Sequence, residues 1–195
     1  MIIGITGGTG CGRTTALAVI RELGVIVLDC DAIYHHLLKT DASLLSAIES
    51  RFPGTVNGGC LDRKKLGSIV FSDESALLDL NRITHGAVKE HVLSLLAQKP
   101  ALAAIDAIAL FEGGLAELCD ITVAVTAAEE RRIARLMARD TISEEYAKKR
   151  IGAQHSADWF REKCDYILEN NGTQAQFHGK CLAFFKGLDI MKAES

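Results

Sequence analysis

The sequence predicts an α/β fold: a three-layer sandwich around a parallel sheet of about five strands, with a helical insertion and a short lid. Three observations lead there. Apolar runs short enough for buried strands alternate with helical patterns along the chain. The first two such runs are joined by a glycine-rich loop and a single helix within thirty residues, which makes a βαβ unit. Residues 61–99 carry a helical pattern with no strand signal, so they read as an insertion into the alternating core.

Residues 2–6 form an apolar run that stops at glycine and read as a buried strand. Residues 14–23 follow as a helix that ends at Gly24, a good C-terminal stop. Residues 25–28 are the second strand, ending at Asp29. Residues 31–38 and 43–51 read as helices, and 53–59 as a loop full of breakers. In the insertion, Leu77, Leu80, Thr84, Val88, Val92, Leu95 and Leu96 form one helical stripe bounded by Pro100. Residues 102–110 and 121–125 fit central strands, and 166–168 a third, shorter one. Residues 129–140 and 143–154 read as charged helices, and 173–186 as a helix packed back on the sheet. The expected division is a core of 1–60, 100–128 and 157–195, an insertion at 61–99 and a lid at 129–156, all in one domain.

The strongest chemical signal is Gly7-Gly8-Thr9-Gly10-Cys11-Gly12-Arg13-Thr14. It fits the P-loop spacing at every fixed position except Arg13, where the pattern asks for lysine. Glycines let backbone N–H groups turn inward around phosphate oxygens, and the helix that follows aims its positive end at them. The Thr14 hydroxyl is placed to ligate Mg²⁺. Arginine keeps the charge of lysine but is larger, planar and geometrically demanding, so binding is expected to survive while transfer slows.

Asp29-Cys30-Asp31 places two carboxylates at the C-terminal end of the second strand, the edge that faces the ligand crevice in open α/β sheets. One of them is placed to accept a proton from an attacking hydroxyl. The alternative is that Asp31 caps the next helix and Asp29 is solvated. Arg131, Arg135 and Arg139 recur every four residues and share a helix face; they are either lid cations or a solvated face balanced by Glu129 and Glu130. Glu112 is read as ending the third strand at the crevice edge, where it would assist metal-bound water. Arg63, with Lys64 and Lys65, meets either a substrate phosphate or solvent. His85 hydrogen-bonds a substrate or is satisfied in the core. Trp159 reads as a hinge or packing residue, and Cys11 as a candidate oxidation site.

The bulk numbers exclude other classes. With 22 basic and 25 acidic residues the net charge is −3, so no nucleic-acid partner is expected. No apolar run reaches membrane-spanning length, the opening residues leave no room for a secretory signal, and the six cysteines contain no CxxC pair. A cytoplasmic protein with reduced thiols is expected, as a monomer or weak homo-oligomer.

Taken in order, the motifs resemble dephospho-CoA kinase, a member of the P-loop kinase group. The family's T-G-G-x-G-x-G-K-[ST]-T corresponds to residues 6–15, its D-x-D to Asp29-Cys30-Asp31, and its L-[DN]-R-x-x-L-x-x-x-V-F to residues 61–71. A histidine in a leucine-rich helix matches His85, and L-F-E matches Leu110-Phe111-Glu112. R-x-x-x-R-D corresponds to residues 135–140, R-I-x-x-Q to 150–154 and N-N-G-[ST] to 170–173. The chain departs at Arg13, at Gly86 where proline follows the histidine, at Ile108-Ala109-Leu110 in place of P-L-L, and at His35 in place of an arginine.

The resemblance implies a P-loop kinase-type fold and transfer of phosphate from ATP, with Mg²⁺, to the ribose 3′-hydroxyl of dephospho-CoA. Asp31 would be the general base. Gly8, Gly10, Cys11, Gly12, Arg13, Thr14 and Thr15 would hold the phosphates, with Arg139 and Arg135 reaching them from the lid. Asp62, Arg63, His85, Phe111 and Glu112 would line the dephospho-CoA side, and Asn170, Asn171 and Gly172 would sit near adenine. Two other readings stay open: a kinase of the same fold with another nucleotide-like acceptor, and a nucleotide-binding protein whose transfer is lost through Arg13.

Overall fold

The computed structural model describes residues 1–98, 100 and 102–188. The ends of the expected segments at Lys99, at Ala101 and over 189–195 lie outside the described residues. Five parallel strands form the sheet: β1 (Ile2–Thr6), β2 (Ile26–Asp29), β5 (Ala103–Asp106), β6 (Ile121–Thr126) and β7 (Tyr166–Glu169), in the order β2-β5-β1-β6-β7. The central strand β1 is buried on both faces, as a parallel sheet covered by helices requires.

Helices α1 (Arg13–Glu22) and α9 (Gln174–Gly187) cover one face. Leu17, Ile20, Phe177, Cys181 and Phe185 pack there with Ile3, Ile5, Val123 and Val125. A capping box closes the start of α9: Thr173 accepts from Gln176 N while Gln176 accepts from Thr173 N. The other face is covered by α2 (Cys30–Thr40), α3 (Ala42–Arg51), α4 (Arg63–Val70) and α5 (Glu74–Leu96). Thr84, Val88 and Val92 are the buried part of the expected stripe, and the Thr84 hydroxyl is satisfied by the Leu80 carbonyl. The region expected as a lid is a hairpin of α6 (Glu129–Asp140) and α7 (Glu144–Gly152), packed over its own cluster of Ile133, Leu136, Ala147 and Ile151.

Three expectations need correction, and one further helix appears. The loop read over 53–59 contains a small hairpin, β3 (Val56–Asn57) against β4 (Cys60–Leu61). Gly58 and Gly59 both have positive φ between the paired Asn57 and Cys60, the geometry of a two-residue type I′ turn. The insertion is not helical throughout, because it opens on β4 and breaks between α4 and α5, where Asp73 caps the second helix through Ser75 N and Ala76 N. The run 102–110 leaves the sheet at Asp106; its second half is a turn in which Ala107 and Leu110 are buried and Ile108 is exposed, and an apolar run alone does not distinguish turn from strand. Finally, α8 (Ala157–Lys163) is an additional short helix capped by Ser156.

The hairpin hangs on Glu49, which accepts from Gly54 N at 2.5 Å and Val56 N at 2.7 Å. These backbone donors, Gly54 first, hold its carboxyl below the ordinary 4.5. A depressed folded-state value means the contribution is complete above that pH and is lost as pH falls below it. Glu49→Gln is therefore expected to lower Tm by a few degrees at pH 7 and to lose less stability than the parent between neutral and strongly acid pH. Melting curves across that range check it.

Candidate active site

The glycine loop lies between the end of β1 and the start of α1, at the C-terminal edge of the sheet. Gly7 has φ +135°, and a Cβ there would stand 2.2 Å from the Val125 carbonyl oxygen on β6, so only glycine allows the loop to leave the strand at this point. Gly12 begins α1 at φ +99°. The amides of Gly10, Gly12, Arg13 and Thr14 make no hydrogen bond among the described residues. They are free for an anion at a helix N-terminus.

The loop's carbonyls and outer side are held by the lid and by β7. Arg132 donates to the Thr9 carbonyl at 2.9 Å and to Gln154 Oε1 at 3.0 Å, and the same Gln154 oxygen accepts from Thr9 N at 2.8 Å. Arg135 donates to the Gly10 carbonyl and to both oxygens of Asn170, whose Nδ2 in turn donates to the Cys11 carbonyl at 2.8 Å. Carbonyl oxygens repel phosphate; here they are bound by cations and an amide, which leaves donors facing the crevice. Arg132 was not singled out in the sequence. The buried face of α6 carries Arg132, Ile133 and Leu136, so the productive arginine spacing is 132, 135 and 139, whereas Arg131 is exposed. That apolar neighbourhood was the available signal.

Arg139 lines the same crevice as the loop, with its guanidinium set bidentately on Asp140 at 2.7 and 2.9 Å. Arg150 also reaches Asp140, at 2.6 Å, and the two arginines hold that carboxyl far below its usual range. Asn171 accepts from Ala128 N at 2.8 Å, and Gly172 lies against the capping Gln176. Asn170 and Asn171 thus fasten β7 to the loop and to the start of α6. Cys11 is 3% exposed and burial pushes its thiol up, which argues against the oxidation site expected there.

The acidic edge holds three carboxylates. Asp29 and Asp106 are register partners at the ends of β2 and β5. It is Asp29, not Asp31, that caps α2, by accepting from Ala32 N at 2.9 Å. Asp31 is exposed at the mouth of a cavity lined by Tyr34, Leu80, Thr84, His85 and Ala107, with Arg63 close enough to act on Tyr34. Asp106 forms an ion pair with Arg13, Nη1 to Oδ1 at 3.0 Å, and both side chains are largely buried at 11% and 16% exposure. Burial raises the Asp106 carboxyl to about 6; Arg13 opposes the rise, and the nearby Asp29 and Asp31 add to it. Asp106 escapes notice in the sequence because the run through 110 looks like one strand.

Glu112 accordingly does not end the third strand. It lies six residues past Asp106 and pairs with His155, three residues past the end of α7. His155 stacks on Trp159 with ring centroids 3.7 Å apart, and Trp159 meets Phe111 edge-on at 5.3 Å. Trp159 is a packing residue that joins the segment after α7 to the segment beside the cavity at Asp31. Asp62 caps α4 through Lys65 N, and Arg63 is exposed.

The family model for dephospho-CoA kinase matches residues 1–176. A dephospho-CoA kinase from Syntrophotalea carbinolica is 36% identical over 96% of this chain and 92% of its own length. One from Geobacillus kaustophilus is 34% identical over 98% of both chains. A crystal structure from Thermus thermophilus superposes with a TM-score of 0.80 at 32% identity, covering 96% of this chain and 97% of that one. Dephospho-CoA kinase from Campylobacter jejuni gives 0.70 at 27%, over 96% of each chain. Shikimate kinase from Acinetobacter baumannii, at 16% identity and a TM-score of 0.55, shares the fold alone. A family model matched over most of the sequence and relatives at 34% and 36% identity over nearly its whole length show that the chain belongs to the dephospho-CoA kinase family.

Proposed function

We propose that the protein transfers the γ-phosphoryl group of ATP to the ribose 3′-hydroxyl of dephospho-CoA, giving CoA and ADP. The observation that carries this reading is Asp31, exposed at the mouth of the acceptor cavity, on the same sheet edge as the phosphate-binding loop. The acceptor hydroxyl gives its proton to Asp31 as it attacks in line; the free loop amides, Arg13 and Arg139 take up charge on the transferring group. His85 and Arg63 flank the acceptor, and the packed rings of Phe111, His155 and Trp159 hold the lid region beside it.

Mg²⁺ fits this crevice. The Thr14 hydroxyl is exposed, lines it and makes no hydrogen bond among the described residues. No cluster of three histidine, cysteine or carboxylate side chains among them forms a cage for a metal. That donor set suits a hard ion held by one hydroxyl, nucleotide oxygens and water. The ion supplies charge neutralisation at the phosphates. The modest negative charge disfavours a nucleic-acid partner, and the reading takes the enzyme to be cytoplasmic and monomeric or weakly associated; no helix among the described residues is long and apolar enough to cross a membrane.

Competition between acceptors tests the substrate. Offered dephospho-CoA and a nucleoside monophosphate together with Mg-ATP, the protein is expected to phosphorylate dephospho-CoA faster; faster turnover of the monophosphate would refute the reading. In the same assay Arg13→Lys is expected to raise kcat a few-fold, because a compact ammonium reaches between the phosphates without the demands of a planar fork. An unchanged or slower rate would contradict that account of Arg13.

A further inference from the structure

Arg13 stands where the loop pattern asks for lysine, and a long guanidinium there needs something to aim it. The side chain has one ionic partner among the described residues, Asp106. The contact is single-edged: Nη1 donates to Oδ1 at 3.0 Å, and the remaining N–H donors stay uncommitted among the described residues. Both residues line the crevice of Gly10, Gly12, Thr14 and Arg139, where the phosphates are expected. Asp106 is itself fixed, as the last residue of a central strand in register with Asp29. Asp31, by contrast, is exposed and faces the acceptor cavity, so the carboxylates divide between two tasks.

We infer that Asp106 is a positioning residue for phosphoryl transfer: it anchors one edge of the Arg13 guanidinium so that the other donors address the phosphates. The anchored fork takes over the placement that a flexible lysine achieves as a point charge. The inference rests on the kinase reading, and it makes a claim that reading does not: dependence on Asp106 belongs to arginine at position 13.

A double-mutant cycle tests it. Asp106→Asn is expected to lower kcat about 10-fold or more when residue 13 is arginine, with KM for dephospho-CoA little changed. In the Arg13→Lys background the same change is expected to cost less than about 3-fold. Asp106→Glu, which keeps the charge and shifts it by a methylene, is expected to follow the same pattern and decides the matter should the Asn variant not fold. Equal losses in the two backgrounds would overturn the inference. A parent protein that makes no CoA would instead refute the kinase reading. The inference is then read from ATP affinity: Kd is expected to rise on Asp106→Asn when residue 13 is arginine and to stay put in the Arg13→Lys background, and an equal rise in both again overturns it.

Discussion

Asp31→Asn is expected to reduce CoA formation about 10²- to 10⁴-fold while leaving ATP affinity within about 2-fold. The size follows from the task. A ribose hydroxyl is a poor nucleophile at neutral pH, and its proton must leave as the bond to phosphorus forms. Asparagine keeps the shape and hydrogen-bonding reach of the side chain but cannot take a proton. Asp29 does not replace it, because its Oδ1 is committed to the Ala32 amide at the start of α2. Asp106 does not either, since it is buried and paired with Arg13. ATP affinity is spared because the phosphate donors sit in the loop and not on α2. Calorimetry for ATP and a coupled ADP assay on one preparation measure both halves; weakened ATP binding with unchanged turnover would remove Asp31 from the chemistry.

Arg132→Ala is expected to be the most damaging change outside the reacting atoms. The side chain is buried, and its two contacts tie the lid to the phosphate loop. Removing it strips the Thr9 carbonyl of a charged donor and leaves a void between α6 and the loop. Losing hydrogen bonds from a charged group, together with a cavity, costs about 2–4 kcal/mol, which is roughly 5–15 °C in Tm for a chain of this size. ATP affinity is expected to fall about 10-fold or more, since the loop loses the clamp that presents its amides. Arg132→Lys recovers little, because an ammonium does not span both acceptors in one plane. Differential scanning fluorimetry with and without Mg-ATP reports both effects; a variant with parental Tm and ATP-induced shift would rule out the clamp.

Legibility in the sequence followed physical range. The strands β1, β2, β6 and β7 were readable because apolar runs bounded by glycine and aspartate encode burial locally. The loop was readable because its chemistry sits in eight consecutive residues. Asp106 was not, because a turn of apolar residues continues the run past the end of β5, and the chain only leaves the sheet there in response to its neighbours. Arg132 was obscured by its exposed neighbour Arg131, which completes an every-fourth-residue series with Arg135 and Arg139, whereas Arg132 lies about 100° further round the helix. Asn170, expected near a ligand, also holds the loop's Cys11 carbonyl, a role that depends on β7 lying beside β6 and that nothing local encodes. Glu112 and His155 are 43 residues apart, and nothing local predicts their pairing. The hairpin is the instructive exception: Gly58 and Gly59 carried a turn signal of the right length, and only the shortness of its strands hid it.

The central claim is tested most directly by following the phosphoryl group. With γ-labelled ATP, Mg²⁺ and dephospho-CoA, the label is expected on the ribose 3′-oxygen of newly formed CoA, in equal amount to the ADP released. ATP that binds normally while no CoA forms, or ADP that accumulates without labelled CoA, would contradict the account.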